Sequence, residues 1–137
     1  MRWHTSLVVI GLFTCLACSS PTEPKGAQFD LPFTLAPGAA AVLGTENLQV
    51  GFDQVLADSR CPRGAQCVVA GDATVRVWLA KSPRGRENRE LKTTPDGSQG
   101  VYDAYKITLV TLAPSPEVGS TIRPTDYVAT LMVTRSP

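Results

Sequence analysis

The chain of 137 residues is poor in several chemistries at once. It has one histidine, His4, only four cysteines, and no surplus of charge, with 13 Lys+Arg against 12 Asp+Glu. Such a balance leaves no electrostatic footprint for nucleic acid or for an anionic membrane surface. No run of apolar residues is long either: Leu7 to Ala17, interrupted by Gly11 and Thr14, falls short of the roughly 20 that a spanning helix needs. Phosphate cradles are missing too. Pro83-Arg84-Gly85-Arg86 and Pro95-Asp96-Gly97-Ser98 are turn signals without the strand and helix that a nucleotide loop requires. A hydrophobic content of 43% excludes a disordered tail. The length suits one small domain preceded by a targeting segment.

The targeting segment is the first 17 residues. Met1-Arg2-Trp3-His4 is a short positive start, the run to Ala17 is the apolar stretch, and small residues follow, which is the anatomy of an export signal. Leu16-Ala17-Cys18 resembles the end of a bacterial lipoprotein lipobox. The resemblance implies that Cys18 becomes the first mature residue and carries acyl chains. Cys15 stands where that motif has Leu, so a cut before Cys15, after Thr14, is the alternative. Ser19 after the cysteine implies the outer membrane under the enterobacterial sorting tendency. Residues 18–27, rich in Ser, Pro and Gly, then read as a flexible tether, and residues 28–137 as the folded domain.

Cutting before Cys18 removes His4 together with Arg2. The mature chain then has no imidazole, which excludes Ser-His-Asp and Cys-His nucleophiles, His-ligated zinc and a histidine pH switch. Cys15 leaves with the signal and Cys18 takes lipid, so Cys61 and Cys67 remain. In an exported protein they are expected to pair as a structural staple. Five intervening residues, Pro62 and Gly64 among them, argue against a redox-active pair.

Alternation with period two dominates residues 28–137. Phe29, Leu31, Phe33 and Leu35 fall on every second position; Leu48, Val50 and Phe52 follow after the turn Pro37-Gly38 and the apolar stretch Ala39 to Leu43. Val55 breaks register by one, which predicts a bulge near Asp53-Gln54. Ala73, Val75, Val77 and Leu79 share a face opposite Thr74, Arg76 and Trp78, with Trp78 expected in the core near the disulfide. Arg89 to Thr93 is a weaker run. Tyr105, Ile107 and Leu109, then Tyr127, Ala129, Leu131 and Val133, close the chain, with Val110, Leu112, Val128 and Met132 on the opposite faces. About seven strands, each with one buried face, predict an all-β, two-layer antiparallel β-sandwich of immunoglobulin-like form. A partly open β-barrel is the alternative.

Phe52-Asp53-Gln54-Val55-Leu56-Ala57-Asp58-Ser59-Arg60-Cys61-Pro62, then Cys67, then Gly71-Asp72-Ala73, resembles a pattern in a group of small exported bacterial lipoprotein-like all-β domains without assigned activity. Tyr105 to Leu109, Leu112-Ala113-Pro114 and Asp126-Tyr127 are similar as well, and Val69 departs from it where that group has an aromatic residue. The resemblance implies export, a disulfide and an all-β fold, and it transfers no catalytic residue.

Asp58, Ser59, Arg60 and Arg63 gather around the cysteine loop, and Asp72 follows it. As function, a disulfide-pinned loop is a rigid recognition element. As structure, Asp58 turns the chain and pairs with Arg60 while Asp72 caps the return into a strand. The carboxylates Asp53, Asp58, Asp72, Asp103 and Asp126 lack the spacing of a calcium loop, so no metal and no cofactor is expected. Arg84 to Arg89 reads as a solvated hairpin tip. The functional expectation is a non-enzymatic binding or structural module at the bacterial cell envelope. Its lipid would hold the membrane, and its loops or a sheet edge would meet a protein, glycan or small ligand. The alternatives are a hydrolase using paired acids, Asp58 with Asp72 first, and a protease inhibitor acting through an exposed loop.

Overall fold

A computed structural model describes residues 25–137. The expected signal at 1–17, the acylated Cys18 and the tether up to residue 24 lie outside the described residues. The rest is an all-β sandwich of two sheets that do not close into a barrel. Sheet A orders β1 (Lys25–Ala27), β3 (Ala40–Leu43), β4 (Leu48–Asp58), β5 (Ala73–Lys81) and β6 (Gly85–Lys92); sheet B orders β2 (Phe33–Leu35), β9 (Val128–Arg135), β8 (Tyr105–Ala113) and β7 (Gln99–Tyr102). All pairings are antiparallel except β1 with β3.

The period-two runs bury as their spacing requires. Val75, Val77 and Leu79 of sheet A and Ile107, Leu131 and Val133 of sheet B are all fully buried between the layers. Each such side chain taken from water stabilises the fold by about 1.5–3 kcal/mol. Thr74 and Arg76 face outward, half exposed, as expected.

Several expectations are corrected. Nine strands are found among the described residues, not seven. Lys25–Ala27, assigned to the tether, is a strand, because its register with Ala41–Leu43 gives its backbone groups partners along the open side of β3. The run from Phe29 to Leu35 is not one strand: Asp30 sits at φ 62°, a left-handed turn conformation, and Leu31 is turned out to solvent. Of Arg89 to Thr93, the residues up to Lys92 belong to a longer strand, β6, and Thr93 lies past its end. Trp78 is not in the core; it lies on the outer face of sheet A, flat over Gly51, where an added Cβ would stand 2.0 Å from the indole. Gly51 makes room for the ring, and the Arg86 guanidinium covers it 4.4 Å from the ring centroid. Leu112 is buried instead of outward, because a bulge between Leu109 and Thr111 shifts the phase of β8 by one residue and leaves Val110 exposed.

The bulge expected near Asp53 is present between Phe52 and Gln54, and a second follows between Val55 and Ala57. Two successive one-residue slips matter for the site. They leave Asp58 paired with the inward Ala73, so its carboxylate enters the space between the sheets.

Candidate functional site

The loops after β4 and after β8 leave the same end of the sandwich and are joined there into one tip. Cys61 and Cys67 form a disulfide with Cα atoms 6.0 Å apart, within the usual range. Closing so short a loop stabilises the fold by about 2 kcal/mol in the chain-entropy model. The loop is fastened at its base by Ser59: its N–H donates to the Asp72 carbonyl at 2.8 Å, its hydroxyl donates to the same oxygen at 2.9 Å, and the Asp72 N–H donates back to that hydroxyl at 3.2 Å. Gly71 has no alternative at this crossing. An added Cβ would lie 1.6 Å from the Ser59 carbonyl oxygen.

Asp58 and Arg60 form the brace beneath the tip. Arg60 grips the Asp58 carboxylate through Nε at 2.8 Å and Nη2 at 2.6 Å, and its N–H also donates to that carboxylate at 3.2 Å. The same guanidinium donates across the sandwich to the carbonyls of Leu112 at 2.7 Å and Pro114 at 2.8 Å. Tyr127 donates its hydroxyl to Asp58 at 3.1 Å from the sheet B side. The pair is nearly enclosed, with side chains 14% and 11% exposed. Burial pushes the Asp58 carboxyl up, and the hydrogen bonds and charge of Arg60, with Tyr127, outweigh it, so its pKa ends below the ordinary carboxylate value. Burial and the neighbouring Asp58 raise that of Tyr127.

Arg63 performs a third fastening. It pairs with Glu117 of the β8–β9 loop, its N–H donates to Pro116 at 2.9 Å, and its carbonyl accepts from the Val118 N–H at 3.2 Å. Above these three ties the tip exposes three valines among small polar residues. Val68 is 102% exposed, Val69 77% and Val118 62%. Residues 61–71 and 113–122 carry two charges, Arg63 and Glu117, and these face each other.

The sequence-selected residues therefore divide. Asp58, Arg60 and Arg63 do come together at the tip's base, in bracing roles. Asp72 is held at the loop's return by its backbone, bonded to Ser59, whereas its carboxylate caps nothing and pairs with Lys92 of β6 at 3.1 Å. Asp58 and Asp72 thus each face a cation, an arrangement unlike the acid pair that glycoside hydrolysis uses. Asp126 pairs with Arg123 and Asp103 lies 3.9 Å from Arg84. No three His, Cys, Asp or Glu residues gather as a metal site among the described residues.

Sequence reasoning missed a second cluster at the opposite end. Glu46, after β3, accepts hydrogen bonds from Tyr105, from Arg135 Nε at 2.8 Å and from Lys81 Nζ at 3.1 Å, while Lys81 also donates to Tyr105. Tyr105 stacks on Phe29 with centroids 5.7 Å apart, and Arg135 lies 4.0 Å from the Phe29 centroid. The bonds from Tyr105, Arg135 and Lys81 hold the Glu46 carboxyl down to about 2. Four distant segments contribute, so no local motif could announce it. It repeats the logic of the tip's base: a carboxylate accepts directly from a tyrosine hydroxyl of the facing layer and from a neighbouring cation. Beside it, a depression of about 360 Å³ opens near Asn47, Gln49 and Pro83. The Lys81 ammonium on its rim is already engaged by Glu46 and Tyr105.

Fold and site together define a class, a disulfide-stapled two-sheet domain with a braced tip that exposes three valines. Compared with family models, curated proteins and solved structures, the chain matches none.

Proposed function

We propose that the chain is an acyl-anchored module of the bacterial cell envelope that works by contact and carries out no bond-making, with the Cys61–Cys67 tip as its docking element. The anchor reading rests on Leu16-Ala17-Cys18 and the polar stretch after it. The observation that carries the docking reading is the contrast within the tip. Three valines stand in solvent at 102%, 77% and 62% exposure, on loops held by a disulfide, a four-bond arginine brace and an inter-loop bridge. Single exposed apolar residues are ordinary, but several gathered on one rigid tip mark a contact surface. Rigidity serves contact by lowering the ordering cost of binding.

Two measurements test the reading. Intact-mass analysis of the protein extracted from membranes is expected to show acyl chains on Cys18; a soluble product beginning elsewhere would end the anchor reading. A photo-reactive residue at Val69, irradiated in native envelopes, is expected to crosslink far more than one at Val101, which is also exposed but lies at the other end of the sandwich. Equal crosslinking at the two positions would remove the tip's docking role.

A further inference from the structure

We infer that what the tip docks on is the lipid surface itself, the same bilayer that carries the acyl chains. This deepens the reading above and rests on the anchor at Cys18.

The direction of β1 is the first support. Lys25 pairs with Ala41 and Ala27 with Leu43, and Ala41 and Leu43 pair with Val50 and Leu48. Moving backward along β1, toward residue 24, is therefore moving from Leu48 toward Asp58. The chain enters the domain from the tip end, and β9 finishes at the other. An anchor upstream of Lys25 pulls on the side where Val68, Val69 and Val118 stand.

Lengths agree with this. From the Lys25 row, at Val50, to Asp58 the partner strand β5 advances six residues, Leu79 to Ala73, about 20 Å at 3.4 Å per residue, because β4 carries two bulges over this stretch. Cys18 to Lys25 is seven Cα steps, at most about 25 Å even when fully extended. With the strands standing tip-down on the membrane, the two lengths are comparable, so the tip can rest at the headgroups while Cys18 stays anchored.

The chemistry of the tip fits a lipid surface better than a protein partner. Arg63 pairs with Glu117, and farther along the same loop Arg123 pairs with Asp126, so the tip presents no excess of charge of either sign. Binding at the headgroup and acyl boundary of an uncharged element requires exposed apolar area. Three exposed valines on stiff loops meet that requirement, and without net charge their insertion is independent of salt.

The test uses the full-length gene product, purified from membranes and reconstituted in vesicles of phosphatidylethanolamine and phosphatidylglycerol with brominated acyl chains. Val69→Trp and, separately, Val118→Trp place a fluorophore at the tip; Val101→Trp places one at the far end, and Trp78 supplies a constant background. The tip variants are expected to lose emission to the bromines and to shift to the blue, equally at low and high salt, while Val101→Trp does neither. Intact mass of the same samples separates the outcomes. Acyl chains on Cys18 with no more quenching at Val69 and Val118 than at Val101 would overturn this inference and leave the anchor standing. Absence of acyl chains would overturn the anchor and this inference with it.

Discussion

Arg60→Ala removes the one side chain that ties the end of β4 to the end of β8. Its guanidinium donates four hydrogen bonds, two to Asp58 and one each to the Leu112 and Pro114 carbonyls. At about 1.5–3 kcal/mol for a bond to a charged group, four would add up to much of a small domain's whole stability of about 5–15 kcal/mol. They do not add. Ordering the arginine costs about 2 kcal/mol, and water can reach the partly open rim once the side chain is gone. The net loss is therefore set by the Asp58 carboxylate left nearly enclosed with Tyr127 and a backbone N–H, and we place it at about 3 kcal/mol, the low end for breaking a buried pair. With an unfolding entropy near 2.1 cal/mol/K per residue over roughly 110 residues, the midpoint falls by about 12 °C. Circular dichroism melts at pH 7 measure this directly. The loss also depends on pH in a stated direction. In the native protein the Asp58 pKa is lowered, so its contribution is complete above the unfolded carboxylate value and fades as pH falls through the native one. In the variant only burial acts strongly, the carboxyl is raised, and acid relieves it. The gap between the two melting temperatures should narrow as pH falls below about 4, leaving the part that the Leu112 and Pro114 carbonyls contribute. A loss under about 1 kcal/mol at pH 7, or a gap that widens in acid, would refute the account of the brace.

Gly71→Ala is expected to dislodge the base of the tip, since its Cβ would fall inside the Ser59 carbonyl; the backbone amide signals of Ser59 and Asp72 should move in an NMR spectrum, and an unchanged spectrum would contradict the crossing. Reduction of Cys61–Cys67 should cost about 2 kcal/mol in urea unfolding, with the remaining core still cooperative. Carboxyl titration followed by NMR should give Glu46 a midpoint at about 2, and Tyr105→Phe, which removes its largest stabilising contact, should raise that midpoint. Because that pKa is depressed in the folded state, the contribution of Glu46 is complete above its ordinary value of 4.5 and is lost progressively as pH falls from there to about 2. Val68→Asp is expected to leave the melting temperature unchanged, as a side chain fully in solvent contributes nothing to the core.

The alternation of apolar and polar residues in β5, β8 and β9 determined the sandwich by itself, because a strand with one apolar face must find another to cover it. The cysteine pair and the Asp58–Arg60 contact were readable for a similar reason: partners within six positions meet through local geometry. Phase was only partly readable. Val55 announced the first bulge of β4, whereas the second bulge, and the one at Val110 that turned Leu112 inward, left no local mark. Trp78 was misplaced because its environment depends on Gly51, which becomes its neighbour only through strand pairing. The fold alone decided that Arg60 reaches Leu112 and Pro114, that Arg63 meets Glu117, and that Glu46, Lys81, Tyr105 and Arg135 converge. These contacts join segments far apart in the chain, and sequence spacing holds no information on which strand ends two sheets bring face to face. The exposure of Val68, Val69 and Val118 belongs to the same category, since an apolar residue declares its solvent contact only after every other apolar residue has found its place.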